Sequence, residues 1–250
     1  MSELLSARRL GLLLKNDIID RYRSVLLVSA TVLAIMVINV VLNGFSGGGG
    51  NAYMGWFPAL LFGWGTIVAS YSFAELHDKS KNHAYLSLPA SALEKTLARL
   101  LYGTVGFVLY VLVFTSVASF IAEGVAAGIY GRGNRPFNPF EPGVWLLIGN
   151  FIVVQSMFFL GAAWFRKMHY IKTVMSLAAI SMGLSILLVL LARIVFAPNF
   201  SGWTFPGDLP VRTLEGAWAG IRILYFVALP ILCWSVAWLR VKETQVSHGV

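Results

Sequence analysis

The residues whose types could do chemistry are few, and their spacing does not assemble a reaction centre. Glu75, His77, Asp78 and His83 share one segment, but the arrangement matches no standard zinc pattern, so they read as hydrated loop residues rather than ligands. His169 stands among Arg166, Lys167 and Lys172 and reads as a surface group. No Ser-His-Asp or Cys-His set converges on one region, so a hydrolase is not expected. The chain holds no Gly-x-x-x-x-Gly-Lys-Ser/Thr; Gly47–Gly50 has no lysine after it and reads as a flexible turn. The expectation is therefore no catalytic residue, no cofactor site and no metal site in this chain. The single cysteine, Cys233, lies inside an apolar run, so no intrachain disulfide can form.

The segment that carries most information runs Glu75-Leu-His-Asp-Lys-Ser-Lys-Asn-His-Ala-Tyr-Leu-Ser-Leu-Pro-Ala-Ser-Ala-Leu-Glu-Lys95. Pro89 biases Leu88 away from helical geometry, so the chain breaks there. Ser91-Ala-Leu-Glu94 then has the spacing of a capping box: the Ser91 hydroxyl accepts from the Glu94 amide while the Glu94 carboxylate reaches back. A helix starting at Ala92 runs to about Ala122, roughly 31 residues or about 46 Å. About 20 residues suffice to cross a bilayer, so the helix projects about two turns beyond it. The preceding span can do the same through Glu75–Lys79. Between these stalks sits a short apolar knuckle, Ala84-Tyr-Leu-Ser-Leu-Pro89, which either docks on a partner or folds back on its own stalks.

The elements that must position this knuckle are membrane spans. Of 250 residues, 58% are apolar and only 12% are charged, and mean hydropathy is +0.75. Soluble domains carry about 25% charged residues. The charges cluster between uncharged runs long enough to cross a hydrocarbon core. A soluble enzyme, a disordered tail and a nucleic-acid-binding domain are excluded together, and the net charge of +8 reads as basic loops on one membrane face.

The expected fold is an all-α membrane protein with six transmembrane helices, at about 25–42, 53–74, 101–122, 143–165, 174–196 and 219–239. Nothing alternates as a membrane barrel requires. The first run begins too late and is too long for a signal-peptide core. Fourteen of the nineteen Lys and Arg residues fall on the side that holds both termini, which places both termini in the cytoplasm. Leu10, Leu13, Leu14, Ile18 and Tyr22 recur at spacings of three and four among Arg8, Arg9, Lys15, Asp17, Arg21 and Arg23. Residues 1–24 thus read as an amphipathic helix on the cytoplasmic membrane surface. Segment 75–100 is the inner loop, and residues 240–250 form the cytoplasmic tail. Outer segments 123–142 and 197–218 carry Tyr130, Phe137, Phe140, Phe200, Trp203, Phe205 and Trp218, which suits interfacial or re-entrant elements as well as ordinary capped loops.

Polar residues inside spans are Asn39, Asn150, Gln155 and Arg193. The first and last lie near outer ends, where snorkelling accounts for them; Gln155 lies deeper and reads as a helix–helix hydrogen bonder. No Asp, Glu or His is expected deep in a span, which disfavours a proton-coupled carrier. Pro58 and Pro230 are expected to kink their helices.

In the inner loop, the motif Leu-Ser-Leu-Pro-Ala-Ser-x-x-Glu-Lys at Leu86–Lys95, with six spans, inner termini and an amphipathic N-terminal helix, resembles the ABC-2 type permeases, membrane subunits of ATP-binding-cassette transporters. The resemblance implies that His83, Ala84, Tyr85, Leu86, Ser87, Leu88 and Pro89 form a coupling element that docks on an ATPase subunit, with Ser91 and Glu94 capping the next helix. It implies ATP and Mg bound by a partner present in two copies, and a second permease half completing a homodimer or heterodimer. The expected function is plasma (inner) membrane transport of a hydrophobic or amphipathic substrate, with no nucleic-acid partner. The alternative is a non-conducting anchor or signalling scaffold that recruits a cytoplasmic complex through the same loop.

Overall fold

The computed structural model describes residues 6–45, 53–74, 91–131, 135–165, 168–195 and 220–247. Among these the structure is all-helical. The helices are α1 (Ala7–Phe45), α2 (residues 53–70), α3 (Ala92–Tyr130), α4 (Pro142–Trp164), α5 (His169–Val195) and α6 (residues 220–247). Segments of α1, α3, α4, α5 and α6 are long and apolar enough to cross a membrane; α2 contributes a shorter apolar helix, Gly55–Ser70. This is the construction of a multi-pass membrane protein. The expected inner loop from Glu75 to Ala90, with His83–Pro89, lies outside the described residues, as do Gly47–Gly50 and the outer segment 197–218.

Two helices differ from expectation in extent. α1 is one uninterrupted helix of 39 residues, so no break separates the amphipathic stretch from the first span. The reason is local: Arg21-Tyr-Arg-Ser-Val-Leu-Leu-Val28 contains neither Pro nor Gly, and propagation past a formed turn costs little. α3 is also 39 residues long and continues eight residues beyond Ala122, converting the start of the outer segment into helix. It ends at Gly131, whose φ of 67° closes the helix in the left-handed conformation while its N–H donates to the Ala127 carbonyl. At about 58 Å each, α1 and α3 are nearly twice the hydrocarbon thickness.

Among the described residues, each proline beyond the first turn of a helix adjoins a π-helical turn. Pro58 precedes Ala59–Trp64, and Pro230 follows Leu224–Ala228. Proline lacks the N–H that the carbonyl four residues back would accept from, and its ring pushes that carbonyl aside; a wider turn accommodates both. A third π turn, Tyr102–Gly106, interrupts α3 without a proline. All three pack against α4, the most buried of the spanning helices.

The main core joins α1 to α4 through Met36, Phe57, Leu61, Val111 and Phe151. A second cluster, with Phe73, Phe159, Ala237 and Val241, holds α4 against α6. α5 meets the rest near its start, where α4 comes so close that a Cβ on Gly161 would clash with the Thr173 side chain. Beyond Thr173 its side chains are exposed or half-buried.

Candidate functional site

α1 and α3 run parallel, and polar contacts clasp them along their length. At the far end the Tyr130 hydroxyl donates to the Val41 carbonyl at 2.8 Å. Midway, the Ser29 and Tyr110 hydroxyls are hydrogen-bonded. Nearer the start, Arg99 pairs with Asp17 at 3.3 Å, with only 9% and 10% of the two side chains exposed. The last clasp joins the two helix beginnings through Glu94.

Glu94 is fully buried and serves three donors. Its Oε2 accepts from the Ser91 amide at 2.9 Å while its own amide donates to Ser91 Oγ at 3.1 Å, which completes the capping box and starts α3 at Ala92. Its Oε1 accepts from the Ser6 amide at 2.8 Å and faces Arg9 Nε at 3.4 Å. One carboxylate thus caps α3 and holds the beginning of α1. The Ser91 amide, followed by that of Ser6, keeps the carboxyl below its ordinary value; burial opposes this and Arg9 assists it. Glu94 sits in the first turn of a helix far longer than a bilayer needs.

Asp17 of the amphipathic stretch and Lys95 and Arg99 of the inner segment 75–100 are all buried. The reason is tertiary: the face of α1 that carries Arg9 and Asp17 packs against the stalk of α3, while Leu12, Ile18, Ile19 and Tyr22 stay exposed. The available signal was opposite charges recurring along both stalks, Arg9 and Asp17 on one, Glu94 and Arg99 on the other. His169 is likewise buried rather than a surface group, with its ring 6.3 Å from that of Tyr71. Glu123, one residue past the expected third span, lies within α3 and is also buried.

Gln155 lies on the buried side of α4, fully enclosed, and neither atom of its amide makes a hydrogen bond among the described residues. The expected helix–helix bond is therefore not formed. Among the described residues, Ser70 and Thr104, on α2 and on the π turn of α3, also keep buried hydroxyls without a hydrogen-bond partner. Asn39 accepts from Asn43, and Asn150 donates to the Leu146 carbonyl. Among the described residues no cluster of His, Cys, Asp and Glu could hold a metal ion.

Between α1, α2 and α3 lies a groove of about 580 Å³, within the size range of small-molecule sites. Ile18, Tyr22 and Val25 form one wall. Opposite stand Trp64, Phe107 and Tyr110, in edge-to-face contacts with centroids 5.6 and 5.9 Å apart.

Comparison with known protein families, curated proteins and solved structures finds no match to this chain. What fold and site define is a class: an all-helical chain built for multiple membrane crossings, with two overlength helices clasped by buried charge.

Proposed function

We propose that this chain is the permease subunit of an ABC-2 type transporter, moving a hydrophobic or amphipathic substrate across the plasma membrane with energy from a separate ATPase. In this reading α2 completes a set of six spans, its short helix being adequate where the bilayer is locally thinned, and both termini are cytoplasmic. The knuckle His83–Pro89 docks on the ATPase, which binds ATP and Mg and is present in two copies. A second permease half completes the assembly. The long α5, exposed beyond Thr173, gives ample apolar surface for such pairing within the bilayer.

The observation that supports this reading best is the clasped pair of 39-residue helices. A lever must be rigid, must extend beyond the membrane and must be held where force is applied. α3 begins immediately after the knuckle, and Glu94 ties that beginning to α1 through Ser6 and Arg9. Motion of the knuckle would therefore move both helices together.

Replacing Leu86 and Leu88 by Asp tests the docking. Each buried leucine contributes about 1.5–3 kcal/mol, so the double variant should lose its ATPase in a pull-down while inserting normally. Retention at parental yield would refute the docking role. For orientation, cysteines placed at Gly48 and Gly207 should react with an impermeant thiol reagent from outside intact cells, and one at Lys81 should not.

A further inference from the structure

We propose that the groove between α1, α2 and α3 binds one anionic phospholipid of the cytoplasmic leaflet, its acyl chain along the aromatic wall and its phosphate between Lys15 and Arg23. The proposal rests on the reading of α1 as a membrane helix whose basic end faces the cytoplasm. It adds a resident ligand that the transport reading does not require.

The groove offers the two chemistries such a lipid needs, an apolar body and cations beside the half nearer the start of α1. Its body is apolar, running along α1 from Ile18 to Val28, about 15 Å at the helical rise. Trp64, Phe107 and Tyr110 line the opposite side, and Gly106, at the end of the π turn, leaves the wall open where a side chain would fill it. The polar atom of Tyr110 is already engaged with Ser29, so this wall presents ring faces rather than an unmet hydroxyl. An acyl chain suits such a surface better than a polar solute does.

Two cations on α1, Lys15 and Arg23, flank the half of the groove nearer the start of that helix, its mouth in this proposal. Arg23 donates from Nε to the Tyr22 hydroxyl at 3.0 Å, and its guanidinium stands 5.7 Å from the centroid of the Tyr22 ring, which lines the groove. Lys15, exposed, precedes Ile18 by one turn on the same helical stripe. Between Arg8 and Arg23 five basic residues face two acidic ones, Asp17 and Asp20. Asp17 is engaged by Arg99 and so does little to neutralise the mouth. Basic side chains next to a membrane attract anionic lipid by roughly fivefold each at low salt, so two give about thirtyfold. That preference distinguishes a built headgroup site from indifferent lipid contact along an apolar helix.

The test uses the full chain purified in mild detergent and offered phosphatidylglycerol or phosphatidylcholine with matched acyl chains, retained lipid being counted by native mass spectrometry. The parent should keep one phosphatidylglycerol with about thirtyfold preference, weakening as salt is raised. Lys15→Gln/Arg23→Gln should retain both lipids about equally. Gly106→Leu should retain neither, and Val25→Trp, filling the groove from the opposite wall, should do the same if the glycine variant fails to fold. Equal retention of the two lipids by the parent overturns the proposal, as does a preference that survives loss of both cations. Retention unchanged in the two filled variants, or displacement by glycerol phosphate alone, overturns it equally. Alkaline extraction of native membranes separates the two readings. A chain released into the supernatant defeats the membrane reading itself, whereas a chain that stays embedded yet shows no lipid preference defeats only this site.

Discussion

Replacing Glu94 by alanine removes more than a helix cap, and the size of the effect follows from the groups it leaves behind. Loss of the capping interaction costs about 1 kcal/mol. The Ser6 and Ser91 amides lose a charged acceptor at 2.8 and 2.9 Å. Such bonds contribute about 1.5–3 kcal/mol each when intact, but both residues are half-buried, so water replaces much of that. The Arg9 contact spans 3.4 Å with the arginine side chain 42% exposed and adds well under 1 kcal/mol. The sum is about 2–3 kcal/mol, or roughly 4–12 °C in melting temperature for a chain of this size. Glu94→Gln keeps one acceptor oxygen and should lose about half as much. The assay is thermal unfolding in detergent at a fixed heating rate, followed by size-exclusion fluorescence, because membrane proteins unfold irreversibly and only matched conditions compare. If Glu94→Ala melts with Arg9→Ala, within about 1 °C of the parent, then Glu94 is a surface cap and the clasp does not exist.

Other expectations follow from the same geometry. Arg99→Ala takes from the Asp17 carboxylate, whose side chain is only 10% exposed, the cation that faces it at 3.3 Å and should cost about 3 kcal/mol, whereas Asp17→Asn/Arg99→Met should stay within about 1 kcal/mol of the parent; a double variant worse than the single would contradict this. Gly161→Ala forces Thr173 aside and should destabilise by about 1–3 kcal/mol, with Thr173→Ala on the same chain restoring most of it in the same melting assay. The Glu94 carboxyl is held below its ordinary value near 4.5, so its stabilisation is present in full above that value and is lost as the pH falls through the lowered one. The melting difference between parent and Glu94→Gln should therefore be constant near neutrality and shrink only as the pH falls below the ordinary value near 4.5, and a difference that grows on acidification would reverse the assignment.

How much of this was legible in the residues depends on how local the cause is. The start of α3 could be read because Ser91-x-x-Glu94 carries its own mechanism within four residues, and the helix does begin at Ala92. The proline-linked disturbances of α2 and α6 were legible for the same reason, although nothing in Tyr102-Gly-Thr-Val-Gly106 announces a π turn. The unity of α1 was masked by its charge density, since Arg8 to Arg23 resembles a surface helix until one asks what would break it. Buried Asp17, Arg99 and Glu94 left only a weak trace, opposite charges recurring along two stalks, with nothing local to show that the stalks are neighbours. A charged residue on a stalk reads as solvated unless the second stalk, some eighty residues away, is known to carry its counterpart at the same height. Gln155 failed in the opposite sense: its depth was legible, but the hydrogen bond that depth calls for is not made among the described residues.

The central claim is that this chain works as half of an ATP-driven permease, and the composition of its native complex tests it most directly. The chain, tagged at its C-terminus and extracted from its own membranes in mild detergent, would be purified and weighed intact by native mass spectrometry, with its partners identified by peptide sequencing. The account predicts two permease chains of this or a related sequence bound to two copies of a P-loop ATPase, the ATPases being lost when Leu86 and Leu88 are both changed to Asp. A stable particle without any nucleotide-binding subunit, or one whose ATPase stays bound to the Leu86→Asp/Leu88→Asp chain, would contradict it.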